Sequence, residues 1–88
     1  MARYDLSSEA IADFSSSNPG DIFFHLGMMY SVGRTVPTDR VAAHKWFNLA
    51  AMKGNRDAVR LRRELSEEMS EADIAAAQRA AREWLSTH

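Results

Sequence analysis

The sequence predicts an all-α chain of helical hairpins, about five helices in one domain, because its apolar residues recur at helical rather than strand spacing. Ala43, Trp46 and Ala50, for instance, stand at i, i+3 and i+7 and share one helix face. Gly33 and Gly54 stand singly where such runs end, and a left-handed glycine is a common way to close a helix. A shift of 36 residues also lays Ile11 on Phe47, Phe14 on Ala50, Asn18 on Gly54 and Ile22 on Ala58, a period in the range of hairpin repeats.

Taken in order, residues 7–14 read as a short helix, with Ser7 or Ser8 as cap and Ile11 and Phe14 on one side; the serines at 15–17 end it. Asn18, Pro19 and Asp21 combine a capping side chain, a proline at N1 and an acid in the first turn. The helix they open is predicted over Pro19 to Val32, with Ile22, Phe23, Leu26 and Tyr30 as its core face. Gly33 ends it, Pro37 delays a restart and Asp39 caps the second arm, on which Trp46 should lie largely buried between the two arms. Gly54 suits the C′ position of that arm, with Lys53 near the negative end of its dipole. Residues 55–66 form a further first arm. Ser70 and Asp73 make an S-x-x-D capping box for a last amphipathic helix over 70–86, which carries Ile74, Ala77, Ala81, Trp84 and Leu85 on one face.

The order Leu26, Gly27, Tyr30, Gly33, Val36, Asp39, Ala43, Trp46, Ala50, Ala51, Gly54, Ala58 resembles the Sel-one-like repeat, a relative of the tetratricopeptide repeat, in spacing as well as residue type. Thr35 departs from the pattern where a second turn glycine is usual, and Ala42 departs where a lysine is common. The run AAAQRAAREW is similar to tails of bacterial members of the family. The resemblance implies an α/α superhelix of hairpin repeats, with Gly27 serving close helix packing and Gly33 the turn. Residues 7–17 would then be an eroded half-repeat, 18–54 a full repeat, 55–66 a partial repeat and 70–86 a C-terminal cap. It implies a protein-binding scaffold or adaptor.

At 88 residues the chain buries only roughly 60–65% of its unfolded surface, so each buried ring matters. Hydrophobic residues at 45%, charged residues at 26% and few prolines and glycines indicate a folded globular chain. There is no cysteine, which excludes a disulfide framework, thiol catalysis and cysteine metal sites. The opening residues contain Asp5, Glu9 and Asp13 without a continuous apolar core, so no signal peptide is expected. No apolar run approaches the ~18 residues of a membrane span. A cytoplasmic location is therefore the expectation. A net charge of -1 gives no general attraction to nucleic acid or anionic membrane.

Chemistry is sparse. His25, His44 and His88 share no i, i+3 or i, i+4 spacing, so no helical metal site is expected and the helical histidines read as surface or boundary residues. The serines sit at helix ends as caps, and the four glycines are isolated rather than arranged as a phosphate loop. No catalytic, cofactor-binding or metal-binding residue is assigned. The cations Lys53, Arg56, Arg60, Arg62 and Arg63 adjoin the acids Glu64, Glu67, Glu68, Glu71 and Asp73. Those acids would oppose a phosphate backbone, and Arg60 and Glu64 at i, i+4 form a local ion pair instead.

The functional signal is apolar surplus. With the core face of the Pro19 helix assigned, Phe24, Met28 and Val32 remain on nearly the opposite side with His25 beside them, and the 36-residue shift sets Arg60 and Glu64 next to Phe24 and Met28. First arms line the concave surface in the resembling family, a common docking face of helical repeats. Phe24, His25, Met28, Val32, Arg60 and Glu64 are accordingly the candidate protein-binding residues. The alternative is that the Trp84 helix or the 7–14 helix folds over this stripe. The function expected is protein–protein interaction by a small adaptor or regulatory scaffold, with a self-assembling homo-oligomeric module as rival and an unrecognised enzyme or ligand-binding protein as a remote third.

Overall fold

In the computed structural model residues 18–88 are described, and among them the chain forms four α-helices and no strand. These are α1 Pro19–Val32, α2 Arg40–Met52, α3 Arg56–Ser66 and α4 Glu71–Thr87. The helix expected over residues 7–14, and the half-repeat 7–17 around it, lie outside the described residues.

Every one of these helices opens on the same local device, a polar side chain that accepts from a backbone N–H three residues on and so satisfies a donor with no intrahelical partner. Asn18 accepts from Asp21 at 3.0 Å, Asp39 from Ala42 at 3.0 Å, Asn55 from Ala58 at 2.9 Å and Ser70 from Asp73 at 3.1 Å. Asn55 also donates from Nδ2 to the Asp21 carboxylate at 3.3 Å, which ties the start of α3 to the start of α1. The helix ends are equally local. Gly33 (φ 76°) closes α1, and Gly54 (φ 95°) closes α2 in a Schellman arrangement, with Asn55 N–H donating to Ala50 O and Gly54 N–H to Ala51 O, both at 3.0 Å.

α2 is the central element. α1, α3 and α4 each pack against it, while α3 and α4 make only marginal contact with one another despite the short connection between them. α1 and α2 form a closely packed hairpin because Gly27 leaves room for a ring. A Cβ at position 27 would stand 2.5 Å from Cδ1 and Cε1 of Phe47, a side chain only 2% exposed. Periodicity places Trp46 largely buried between the two arms. It is half-buried instead, because neighbouring helix residues point about 100° apart: Ala43, Phe47 and Ala50 are buried in the core, and Trp46 meets Phe23 of α1 and Trp84 of α4. Trp84 packs edge-on against both, with ring centroids 5.1 Å from Phe23 and 5.7 Å from Trp46. Ala77 and Ala81 of α4 are fully buried, so small side chains let the last helix settle closely onto the bundle.

His44 departs from expectation more sharply. It is 2% exposed, and its Nε2 lies 2.9 Å from Ser66 Oγ at the end of α3. The Ser66 hydroxyl donates to Arg62 O at 2.9 Å, so the imidazole carries its proton on Nε2 and donates to Ser66. Nδ1 is then a buried acceptor with no partner among the described residues. Beside it Arg62 donates to Asn48 Oδ1 at 2.7 Å. The contact between α2 and α3 therefore includes a buried polar cluster beside the apolar packing of Ala58, Leu61 and Leu65.

Candidate functional site

α1 and α3 both lean on α2 but scarcely on each other, and the gap between them is a groove of about 260 Å³. Phe47 forms its floor, Met28 and Ser31 of α1 one wall, and Leu61, Glu64 and Leu65 of α3 the other, continued by Glu68 of the turn that follows α3. The apolar members follow from helical spacing, since Leu61 and Leu65 are i, i+4 on one face of α3. Glu64 in the last turn of α3 and Glu68 in the turn that follows it stand at its edge.

The six candidate residues divide. Met28 and Glu64 line the groove. Phe24 is half-buried behind it, with its ring 5.8 Å from that of Phe47, so it supports the floor and is not itself a wall. Val32 is 53% exposed beyond the groove, and His25 is exposed on the outer side of α1. Neither lines it. Arg60 stands outside, bridging Asp57 at 3.8 Å and Glu64 at 3.5 Å; the expected pair with Glu64 is thus formed. The stripe is not one continuous surface: His25, about 100° round from Phe24, faces solvent, and Val32, at the very end of α1, lies past the end of the cleft that Met28 lines.

α4 does not close this groove, since Trp84 is engaged with Phe23 and Trp46 and no α4 residue lines the cleft. Ser31, Phe47, Leu61, Leu65 and Glu68 line it too, although the apolar stripe predicted for α1 does not contain them. Leu61 and Leu65 carry a usable sequence signal in their i, i+4 spacing, masked by the charges around them. Phe47 carries none, because only the fold makes one residue both core and floor.

The electrostatics are one-sided. Among the described residues Glu64 and Glu68 are the only ionisable side chains lining the groove, and the guanidinium partners of both, Arg60 and Arg40, reach them from outside it. Among the described residues no three histidines, aspartates or glutamates come together as a metal-holding group, and no helix is long and apolar enough to cross a membrane. Comparison with family models, with curated proteins and with solved structures finds no match to this chain.

Proposed function

We propose that this chain is a protein–protein interaction module, a small adaptor or regulatory scaffold of the Sel-one-like repeat type, and that it binds through the groove between α1 and α3. The observation that carries the reading is an apolar cleft, open among the described residues, beside a well-packed hairpin, with Met28, Leu61 and Leu65 above Phe47. Its volume of about 260 Å³ is below the roughly 300–1,000 Å³ of small-molecule sites and suits one or two inserted side chains. Methionine suits such a wall because it repacks around different shapes. The repeat-superhelix arrangement belongs to the same proposal, supported by the cap-to-cap contact of Asn55 with Asp21.

A random-peptide library selected on the full chain tests the reading. Binders should be retained by the parent and lost by Met28→Lys, whose longer side chain can extend through the open mouth of the groove without unfolding the domain. A Met28→Lys protein that melts like the parent and still binds every selected peptide would refute the groove as the docking site. The self-assembling alternative draws on exposed apolar side chains elsewhere, Val32 at 53% and Met52 at 58%. Sedimentation over a concentration series separates the two, since an adaptor of this kind stays monomeric without its partner.

A further inference from the structure

We infer that the occupant of the α1–α3 groove is a basic amphipathic segment: an aliphatic or aromatic side chain inserted between Met28, Leu61 and Leu65, with a lysine or arginine within about one helical turn of it that engages Glu64 and Glu68. This rests on the reading of the groove as a docking site and goes beyond it by stating what the partner must look like.

Three features of the cleft lead there. Its floor and inner walls are apolar apart from Ser31, and its outer edge at the end of α3 is carboxylate, with no cationic side chain among the described lining residues. A partner that buries an apolar side chain here must therefore bring the flanking chain past two negative charges. An acidic segment would be repelled, a neutral one would leave the carboxylates without return, and a basic one gains charge-assisted hydrogen bonds.

The two acids are also free to take a second donor. Glu64 and Glu68 have side chains 59% and 64% exposed, and their contacts to Arg60 and Arg40 are long at 3.5 and 3.4 Å. Exposed pairs of this kind are weak and screened. A carboxylate offers about four lone-pair sites, so an incoming cation adds to the existing contacts without displacing them. Glu64 in the last turn of α3 and Glu68 in the turn that follows place both carboxylates at the same end of the cleft, where one basic residue can reach either or two can take one each.

The groove runs between two helices, which is the geometry that accepts an amphipathic helix by its anchor residues. Asp57 stands in the first turn of α3 and is already shared with Arg60, so the acidic edge lies at the C-terminal end of α3 and in the turn that follows it. The basic residue of the partner should accordingly lie to one side of the anchor.

The test uses the full chain and synthetic peptides taken from the library selection. Each is made as selected and again with its lysines and arginines replaced by glutamate. Enriched sequences should pair an apolar residue with Lys or Arg within about four positions, and the charge-reversed versions should bind at least about tenfold more weakly. Raising the salt should weaken the selected peptides. The double variant Glu64→Gln, Glu68→Gln should shrink the difference between the two peptide versions to about twofold while melting like the parent. If both versions bind the parent equally and Met28→Lys abolishes both, the groove is a docking site and the basic-partner inference is overturned. If no peptide depends on Met28, both readings fail together. Concentration-dependent association of the chain with itself, lost in Met28→Lys, would make a second copy the occupant and also overturn the inference.

Discussion

The two interfaces of α2 are built on different principles. Against α1 it presents Phe47 into the space left by Gly27, with Ala43 and Ala50 fully buried in the same core. Against α3 it presents His44 to Ser66 and Asn48 to Arg62. The first interface is held by shape and apolar burial, whose strength does not depend on protonation. The second adds directional polar contacts to the apolar packing of Ala58, Leu61 and Leu65 and includes the Nδ1 of His44, which has no partner among the described residues, so part of its strength depends on solution conditions. α3 is also one wall of the groove. The conditional interface thus carries half of the candidate site, and the unconditional one anchors the rest.

The comparison breaks most easily at the ring. Phe47→Ala should lower stability by about 3–5 kcal/mol, the usual cost of removing a large core side chain, and denaturant melts would read it directly. A loss below about 1 kcal/mol would mean that the hairpin is not organised around Phe47. Gly27→Ala should come next. Overpacking costs about 1–3 kcal/mol against a helix-propensity gain of about 1 kcal/mol, leaving a net loss that Phe47→Leu in the same chain should partly relieve. A stabilised Gly27→Ala protein would show that the ring can retreat, and close packing would lose its basis.

On the polar side, Asn48→Ala should cost about 1 kcal/mol by removing the acceptor of Arg62, whose half-exposed guanidinium can turn to water. His44 sharpens the contrast through pH. Burial, followed by the positive charge of Arg62, holds its pKa below the ordinary 6.5. Between 6.5 and the lower folded value the unfolded chain binds the extra proton and the folded chain does not, so stability is fully present above about pH 6.5 and falls as pH drops through that window. Urea melts at descending pH should show this loss. His44→Leu, which removes both the titration and the buried Nδ1, should flatten it while the caps and the Phe47 interface stay as they are. An unchanged pH profile in that variant would assign the acid sensitivity to other groups. The smallest effect is expected at Glu64→Gln, within about 0.5 kcal/mol, because its ion pair with Arg60 is exposed. That leaves binding as the property through which Glu64 would report.

The punctuation of the chain is written in its local chemistry. Asn18, Asp39 and Ser70 stand as helix caps where their side chains predict them, and Gly33 and Gly54 adopt the positive φ that their positions imply. These signals act over three or four residues and need nothing distant, so the all-α class and the helix boundaries from 18 onward follow from the sequence by itself. Periodicity also identifies a large ring at a close helix contact, but points to Trp46 where the packed ring is Phe47. One position along a helix is a rotation of about 100°, and only the crossing of α1 over α2 decides which of two adjacent rings it buries. His44 enters the core for the same reason: its burial depends on where α3 ends and brings Ser66. The open cleft between Met28 and Leu61 is likewise a property of the packed helices. It exists because α1 and α3 both pack on α2 and scarcely on each other, an arrangement that no short window of sequence contains.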